Sequence, residues 1–235
     1  VLPKSPLYKP EYRENYIQFD VDKANALLDE MGLDERNGDG IRLLPDGRPM
    51  EIIVETTGEN PEHDDMLELV GDSWRQVGIK MFVKGLQREV LRNRAYTGET
   101  IMSIFNGIDN GLATPNSVPS EFVPVQQDTL QWPKWGQYYQ TDGEAGEAPD
   151  MPAAKELMVQ YRKWQTGNDA ARMAAWQSIL DINSENMFSI GLIGNVPQPV
   201  VVDKDMRNVP EKGIHSWEPG AFFGIYRPDT FWWDR

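Results

Sequence analysis

Residues 50–105 alternate between strand-like and helix-like patterns, and this alternation constrains the fold more than any other feature of the sequence. Runs rich in β-branched and apolar residues predict strands at 50–56, 79–83 and 100–105. One predicted helix begins at Asn60 and Pro61, an N-cap followed by proline, and ends before Gly78, and a second covers residues 86–95. This order, with short connections, predicts an α/β fold in which an open mixed sheet carries flanking helices.

The rest of the chain is predicted to be helical in three places and irregular elsewhere. Apolar residues recur at helical spacing in residues 21–31, 152–164 and 169–186. Residues 106–150 have no clear period and are rich in prolines and aromatics, so they are expected to form a long, ordered loop. In the tail, short strands are expected at 190–193 and 199–202, followed by an aromatic stretch at 222–226.

Charge and composition exclude several classes of protein. The net charge of −14 argues against nucleic acids and anionic membranes as partners, because both would be repelled. The sequence has no cysteine, which excludes disulfides, thiolate zinc sites and cysteine nucleophiles. No window approaches the roughly 18 apolar residues that a membrane-spanning helix requires. Composition by itself names no ligand.

Short motifs in a fixed order resemble one family of receptors. An aromatic–Asp–x–x–Lys–Ala helix pattern begins at Phe19, and an Asn-Gly-Asp-Gly-Ile-Arg turn follows at 37–42. A characteristic helix end and strand entry lie at 74–80, a late helix motif lies at 172–186, and a closing segment begins at Arg207. Together these segments resemble the C-terminal part of the peptide/nickel/oligosaccharide-type (family 5) extracellular solute-binding proteins of ABC importers.

This resemblance implies one lobe of a two-lobed, class II periplasmic-binding-protein-like fold. Residues 1–187 would form the C-terminal ligand-binding lobe, and residues 188–235 a return segment toward the first lobe of a longer protein. The implied function is capture of a small peptide or similar solute by lobe closure, for delivery to an ABC permease in the membrane. The expected receptor is a monomer, periplasmic or lipid-anchored, without a cofactor and without enzymatic activity.

The resemblance also assigns residues to a ligand site. In peptide binders of the family, an Asp after the third strand of this lobe meets the free α-ammonium group of the ligand, and Asp109 fits that position. Asn106, Asn110 and Phe105 lie beside it in the sequence. The Trp-containing Ala-Asp-Tyr pattern of the peptide binders is absent, so an oligosaccharide, an opine or another solute is an alternative. From the residues alone, an ordinary Asp-Asn-Gly turn is the alternative interpretation.

Trp132 and Trp135 form a second group of candidate ligand-binding residues. With Tyr138 and Tyr139 they could stack on sugars or cover peptide side chains. They could also fill the interior of the long loop, or be covered by the other lobe of a complete receptor. The rival function, a glycoside hydrolase or carbohydrate-binding module, would use the same aromatics and, as a hydrolase, two carboxylates about 5–10 Å apart.

No metal site is predicted. Residues 35–46 resemble an EF-hand calcium loop, with candidate ligands at Glu35, Asn37, Asp39 and Asp46. The Glu at its first position, the Asp at its twelfth and the strand that follows count against calcium. The two histidines, His63 and His215, are far apart, and His63 is expected to be a solvated residue in the first turn of a helix.

Overall fold

The computed structural model describes residues 1–105, 112–194, 196, 199–213 and 226–234. Its helices are α1 (Glu11–Glu14), α2 (Val21–Glu30), α3 (Pro61–Gln76), α4 (Arg88–Tyr96), α5 (Pro133–Gln140), α6 (Pro152–Thr166) and α7 (Asp169–Asn186). Its strands are β1 (Glu51–Thr56), β2 (Lys80–Gly85), β3 (Met102–Ser103), β4 (Met206–Arg207) and β5 (Trp232–Trp233). Short 3₁₀ turns lie at Ser120–Phe122 and Pro228–Thr230.

A parallel sheet in the order β2–β1–β3 organises the first half of the chain. The helices α3 and α4 connect its strands, since parallel neighbours require a crossover. The predicted α/β fold, an open sheet with flanking helices, is confirmed. The described strands of this sheet all run in one direction, where a mixed sheet was expected, and β4 and β5 form a separate antiparallel pair.

The predicted helices agree well with the structure, and the predicted strands agree less well. The helix predicted at 169–186 matches α7 at both ends, because Asn168 caps it by accepting the N–H of Ala171 and Met187 ends it in a left-handed conformation. The helix α5 was not predicted. The strands expected at 190–193 and 199–202 are wrong, since the described residues there belong to no strand. High strand propensity forms no strand without a neighbouring ladder.

Clusters of buried apolar side chains hold the described elements together. The first joins the described residues 112–150, called the irregular segment below, to α6 and α7. It contains Val123, Val125, Trp132, Leu157, Tyr161 and Ile179. The second joins the N-terminal residues to α7 through Leu7, Ala113, Trp176 and Leu180. The third lies between the sheet and α3 and contains Val54, Leu67 and Ile104. The described part of the long irregular segment is therefore ordered by burial of its own apolar side chains.

Helix α5 lies so close to the preceding backbone that only glycine fits at the contact. A Cβ atom at Gly136 would lie 1.9 Å from the carbonyl oxygen of Gln126, which is far inside van der Waals contact. Further along, the Nε1 of Trp176 donates to the carbonyl oxygen of Ser117 at 2.8 Å. These contacts fix the irregular segment to α5 and α7.

A buried arginine ties the hairpin arm (residues 35–50) to α2 and α3. Arg42 is 1% exposed, and its Nε donates to the carbonyl oxygen of Val77 at 2.7 Å. Its Nη1 donates to the carbonyl oxygen of Leu33 and pairs with Asp29, and its Nη2 donates to Asn25 Oδ1 at 2.8 Å. The carbonyl groups of Leu33 and Val77 lie just past the ends of α2 and α3. The guanidinium group therefore satisfies helix-end acceptors that the helices themselves leave unpaired.

The segment after α7 exposes a run of apolar side chains. Ile190, Ile193, Val196, Val200 and Val201 are each more than half exposed. Exposed apolar surface of this extent is typical of a region that another part of a protein covers.

Candidate functional site

The carboxyl edge of the parallel sheet is the part of this fold best placed to meet a ligand. The crossover through α3 leads from β1 to one side of the sheet, and the crossover through α4 leads back to β3 on the other side. The strand order therefore reverses at β1, and open α/β sheets commonly bind ligands outside the carboxyl ends of their strands at such a point. Thr57 follows β1 at this edge, and Phe105 follows β3.

The start of α3 brings two unpaired polar side chains to this edge. Asn60 caps the helix, with its Oδ1 accepting the N–H of Glu62 at 3.1 Å. His63 is 7% exposed, and neither its Nδ1 nor the Oδ1 of the adjacent Asp64 has a hydrogen-bond partner, although both atoms are buried. A buried, unpaired polar atom costs about 1–3 kcal/mol. Such atoms are suited to hydrogen-bond a molecule that enters this edge.

The expectation that His63 is solvated is wrong. Residues four apart lie on the same side of a helix, so His63 shares a side of α3 with Leu67. Leu67 packs in the third cluster against Val54 and Ile104. The spacing of His63 and Leu67 was the signal in the sequence that could have shown this burial. His215, the other histidine, lies outside the described residues.

Strand β1 carries a buried carboxylate one residue before its end. Glu55 is 3% exposed, and its Oε1 accepts from Arg94 Nε at 2.9 Å and from Lys84 Nζ at 3.4 Å. Its Oε2 accepts from Thr100 Oγ1 at 2.7 Å. Burial raises the pKa of Glu55, but the hydrogen bonds from Thr100 and Arg94 outweigh it, so the pKa lies below its usual range. Glu55 therefore links β1, β2, α4 and the residues before β3 as an ionised group.

Among the described residues at this edge, in the loop starts and the first turn of α3, carboxylates outnumber cations. Glu59, after β1, pairs with Arg88 at the start of α4 and so joins two neighbouring loops. Glu62 and Asp64 add carboxylates in the first turn of α3. An anionic solute would be repelled here, whereas a neutral or cationic solute would not.

The ligand residues predicted near β3 are only partly within the described chain. Phe105 is partly buried at the carboxyl edge, while Asn106, Asp109 and Asn110 lie outside the described residues. Ile104, directly before Phe105, donates its N–H to the carbonyl oxygen of Glu55 at 3.1 Å. This bond holds Phe105 beside the end of β1.

Trp132 and Trp135 pack beside α6 and α7. They are not among the residues that begin the loops at the carboxyl edge of the sheet. Trp132 is 7% exposed, and its ring is 6.4 Å from that of Trp135 and 4.9 Å from that of Phe188. Its Nε1 is buried without a hydrogen-bond partner. The ring of Trp132 thus fills the interior beside α6 and α7, and its contact with a solute stays a prediction.

Two of the four candidate ligands of the EF-hand-like loop are used within the hairpin arm. The Oδ1 of Asn37 accepts the N–H groups of Asp39 and Ile41, each at 3.0 Å. Asp46 pairs with Arg48 at 2.7 Å, and the hydrogen bonds from Arg48 lower the pKa of Asp46. Asn37 and Asp46 therefore already have partners.

Two kinds of feature are absent from the part of the chain that the structure describes. No group of three or more His, Cys, Asp or Glu side chains there is arranged to hold a metal ion. No helix in the described ranges is long and apolar enough to span a bilayer.

Several known binding proteins are similar to this chain. A curated relative, the periplasmic alpha-galactoside-binding protein of Rhizobium meliloti (strain 1021), is 22% identical over 203 residues, which are 83% of this chain and 28% of the relative. The solved structure of the oligopeptide-binding protein OppA matches with a TM-score of 0.67 at 28% identity, over 80% of this chain and 31% of that one. MelB from Agrobacterium fabrum C58, solved with stachyose, matches with a TM-score of 0.64 at 19% identity, over 80% and 27% of the two chains.

These proportions show that the chain spans less than a third of the length of these proteins. The family described as bacterial extracellular solute-binding proteins, family 5 Middle, matches residues 1–128. That match covers more than half of the 235 residues and agrees with the motifs in the sequence. The chain therefore belongs to family 5 of the bacterial extracellular solute-binding proteins.

Proposed function

We propose that this chain is the C-terminal lobe of an extracytoplasmic solute-binding protein, and that the solute binds at the carboxyl edge of the β2–β1–β3 sheet. The observation that carries this proposal is the pair of buried, unpaired polar atoms at that edge, His63 Nδ1 and Asp64 Oδ1. A solute enclosed there would supply their missing hydrogen bonds. Capture would occur by closure of two lobes around the solute, with no covalent bond made or broken.

The proposed solute is a small peptide, with an oligosaccharide as the second candidate. Similarity to OppA at 28% identity supports the peptide, and similarity to an alpha-galactoside-binding protein supports the oligosaccharide. Both fit the acidic residues that begin the loops at the edge, because neither needs to carry net negative charge. For a peptide, Asp109 would pair with the α-ammonium group, and Asn106 and Asn110 would add hydrogen bonds beside it.

Residues 188–235 are proposed to return toward the first lobe of the complete receptor. The exposed apolar side chains between Ile190 and Val201 support this, because the first lobe would cover them. The complete receptor would be a periplasmic or lipid-anchored monomer that needs no cofactor and delivers its solute to an ABC permease.

Binding without catalysis is favoured over glycoside hydrolysis. A hydrolase needs a carboxyl group whose pKa is raised so that it can donate a proton. The pKa values of Glu55 and Asp46 are both lowered, so neither carboxyl group is suited to that role. An ionised, paired carboxylate such as Glu55 has no proton to give.

Replacing His63 by leucine tests the proposed site in a receptor that contains both lobes. The substitution removes an unpaired buried polar group and keeps an apolar contact, so the midpoint of urea unfolding should stay unchanged or rise. Affinity for the probes stachyose and a tripeptide, measured by calorimetry, should fall about tenfold or more for the one that binds. Unchanged affinity for both probes in His63→Leu would contradict the placement of the site.

Asp109→Asn distinguishes the two solute classes. If the tripeptide binds through its α-ammonium group, the substitution should cost about 1.5–3 kcal/mol of binding free energy, the size of a hydrogen bond to a charged group. Stachyose carries no cation, so its binding should change much less. Asp46→Asn, which removes a carboxylate paired with Arg48 in the hairpin arm, is the control and should leave the affinity for either probe unchanged.

A further inference from the structure

Strand β3 is held by the fewest backbone pairs in the sheet, and it leads into the proposed solute site. It pairs with β1 at two positions, Val54 with Met102 and Glu55 with Ser103, whereas β1 and β2 pair at six. A ladder this short is marginally stable by itself. Other contacts must therefore keep β3 in its place.

The side chain and the backbone of Glu55 hold the two ends of β3. Thr100, two residues before the strand, donates its hydroxyl to Glu55 Oε2 at 2.7 Å. Ile104, directly after the strand, donates its N–H to the carbonyl oxygen of Glu55 at 3.1 Å. Hydrogen bonds to an ionised acceptor are about twice as strong as those between neutral groups. Because Glu55 is buried, water competes little for the Thr100 bond.

The cations around Glu55 occupy its other oxygen. Arg94 and Lys84 both donate to Oε1, from α4 and from β2. Arg94 also pairs with Glu99 at 2.8 Å, directly before Thr100. The cations keep the carboxylate ionised in its buried position, and Oε2 stays free to accept the Thr100 hydroxyl.

We infer that Glu55 is a positioning residue, whose carboxylate holds Thr100 and thereby sets the position of β3 and of Phe105 at its carboxyl end. The inference rests on the proposed function, in which the solute binds at the edge where Phe105 lies. Thr100 and Lys84 therefore have different roles. The hydrogen bond from Thr100 to Glu55 fixes β3, whereas the bond from Lys84 to Glu55 only joins β1 to β2.

Amide hydrogen exchange of this chain tests the positioning role without any ligand. Thr100→Val removes the hydroxyl and keeps the shape of the side chain, so exchange at Ile104 and Phe105 should become about tenfold faster or more while exchange in α7 stays unchanged. Thr100→Ser keeps the hydroxyl and should restore slow exchange. Lys84→Met is the matched control, because it removes a partner of the same carboxylate on β2, and it should leave exchange at Ile104 within about threefold of the original rate. Unchanged exchange at Ile104 in Thr100→Val, or an equal increase in Lys84→Met, would overturn the inference.

Calorimetry with stachyose and a tripeptide on a receptor that contains both lobes links β3 to the solute. Thr100→Val should lower the affinity for the probe that binds by about tenfold, and Lys84→Met and Thr100→Ser should not. Unchanged affinity in Thr100→Val overturns the link between β3 and the site. The location of the site itself is tested separately by His63→Leu, so the two failures are distinguishable.

Discussion

Replacing Arg42 by methionine removes a buried guanidinium group and keeps an unbranched side chain of similar reach. The carbonyl oxygen of Leu33 loses a buried donor, at a cost of about 1–3 kcal/mol. The carbonyl oxygen of Val77 loses one as well, but Arg36 Nη2 remains 3.4 Å away, so this loss lies at the low end of that range. The side chain of Asp29 is 55% exposed, and its pairing with Arg42 therefore adds less than about 1 kcal/mol. We expect the free energy of unfolding to fall by about 3–4 kcal/mol, most of it from the two carbonyl oxygens that lose this donor.

Urea unfolding followed by tryptophan fluorescence measures this loss. Provided that the slope of the transition is unchanged, the shift in its midpoint gives the change in the free energy of unfolding. Arg48→Met is a matched control, because Arg48 lies on the same hairpin arm and pairs with Asp46, but its side chain is 74% exposed. A fully exposed pair of this kind contributes little to stability, so the control should unfold almost as the original chain does.

A loss below about 1 kcal/mol for Arg42→Met, or a loss equal to that of Arg48→Met, would refute the reasoning. In that case the cost of burying the guanidinium group would cancel the hydrogen bonds that it makes. The helix-end carbonyl groups would then be satisfied in some other way after the substitution.

Three further predictions concern packing, pH and calcium. Gly136→Ala should cost about 3 kcal/mol or more in urea unfolding because its Cβ would overlap Gln126, whereas Gly38→Ala, with open space around it, should cost little. The lowered pKa of Glu55 means that its carboxylate stabilises the fold above the unfolded-state pKa of about 4.3 and loses that contribution as the pH falls through the folded-state pKa. Glu55→Gln should therefore cost about 1–2 kcal/mol at pH 7, with the difference shrinking below about pH 4, and a constant difference would contradict this. Melting curves with calcium and with chelator should superimpose, and a shift of several degrees would show a site at residues 35–46.

Much of the fold was predictable because its signals are local. Asn60 and Pro61 begin α3 in the structure as the sequence indicates, since capping depends only on neighbouring backbone groups. The order of strands and helices in residues 50–105 predicted the α/β sheet. The expected strands at 190–193 and 199–202 failed because a strand needs a partner, which local sequence does not specify.

The candidate site was less predictable than the fold. Asp109 came from the family resemblance alone and lies outside the described residues, so its role stays a prediction. His63 was interpreted as solvated, although its spacing from Leu67 placed both on the inner side of α3. Trp132 is one of several aromatics in an aperiodic segment, and the sequence left open whether its ring would contact a solute or fill the interior, where it is found.

By itself, the sequence determined the order of the helices and strands of the sheet region, the family, and the exclusion of cysteine chemistry. These depend on spacing and composition, which act over a few residues. Only the tertiary structure decided that Glu55 would bind Thr100, Arg94 and Lys84, or that Arg42 would meet the ends of two helices. Those contacts join residues 9 to 45 positions apart in the chain. Their energies depend on burial, and burial is defined only when the strands and helices pack together.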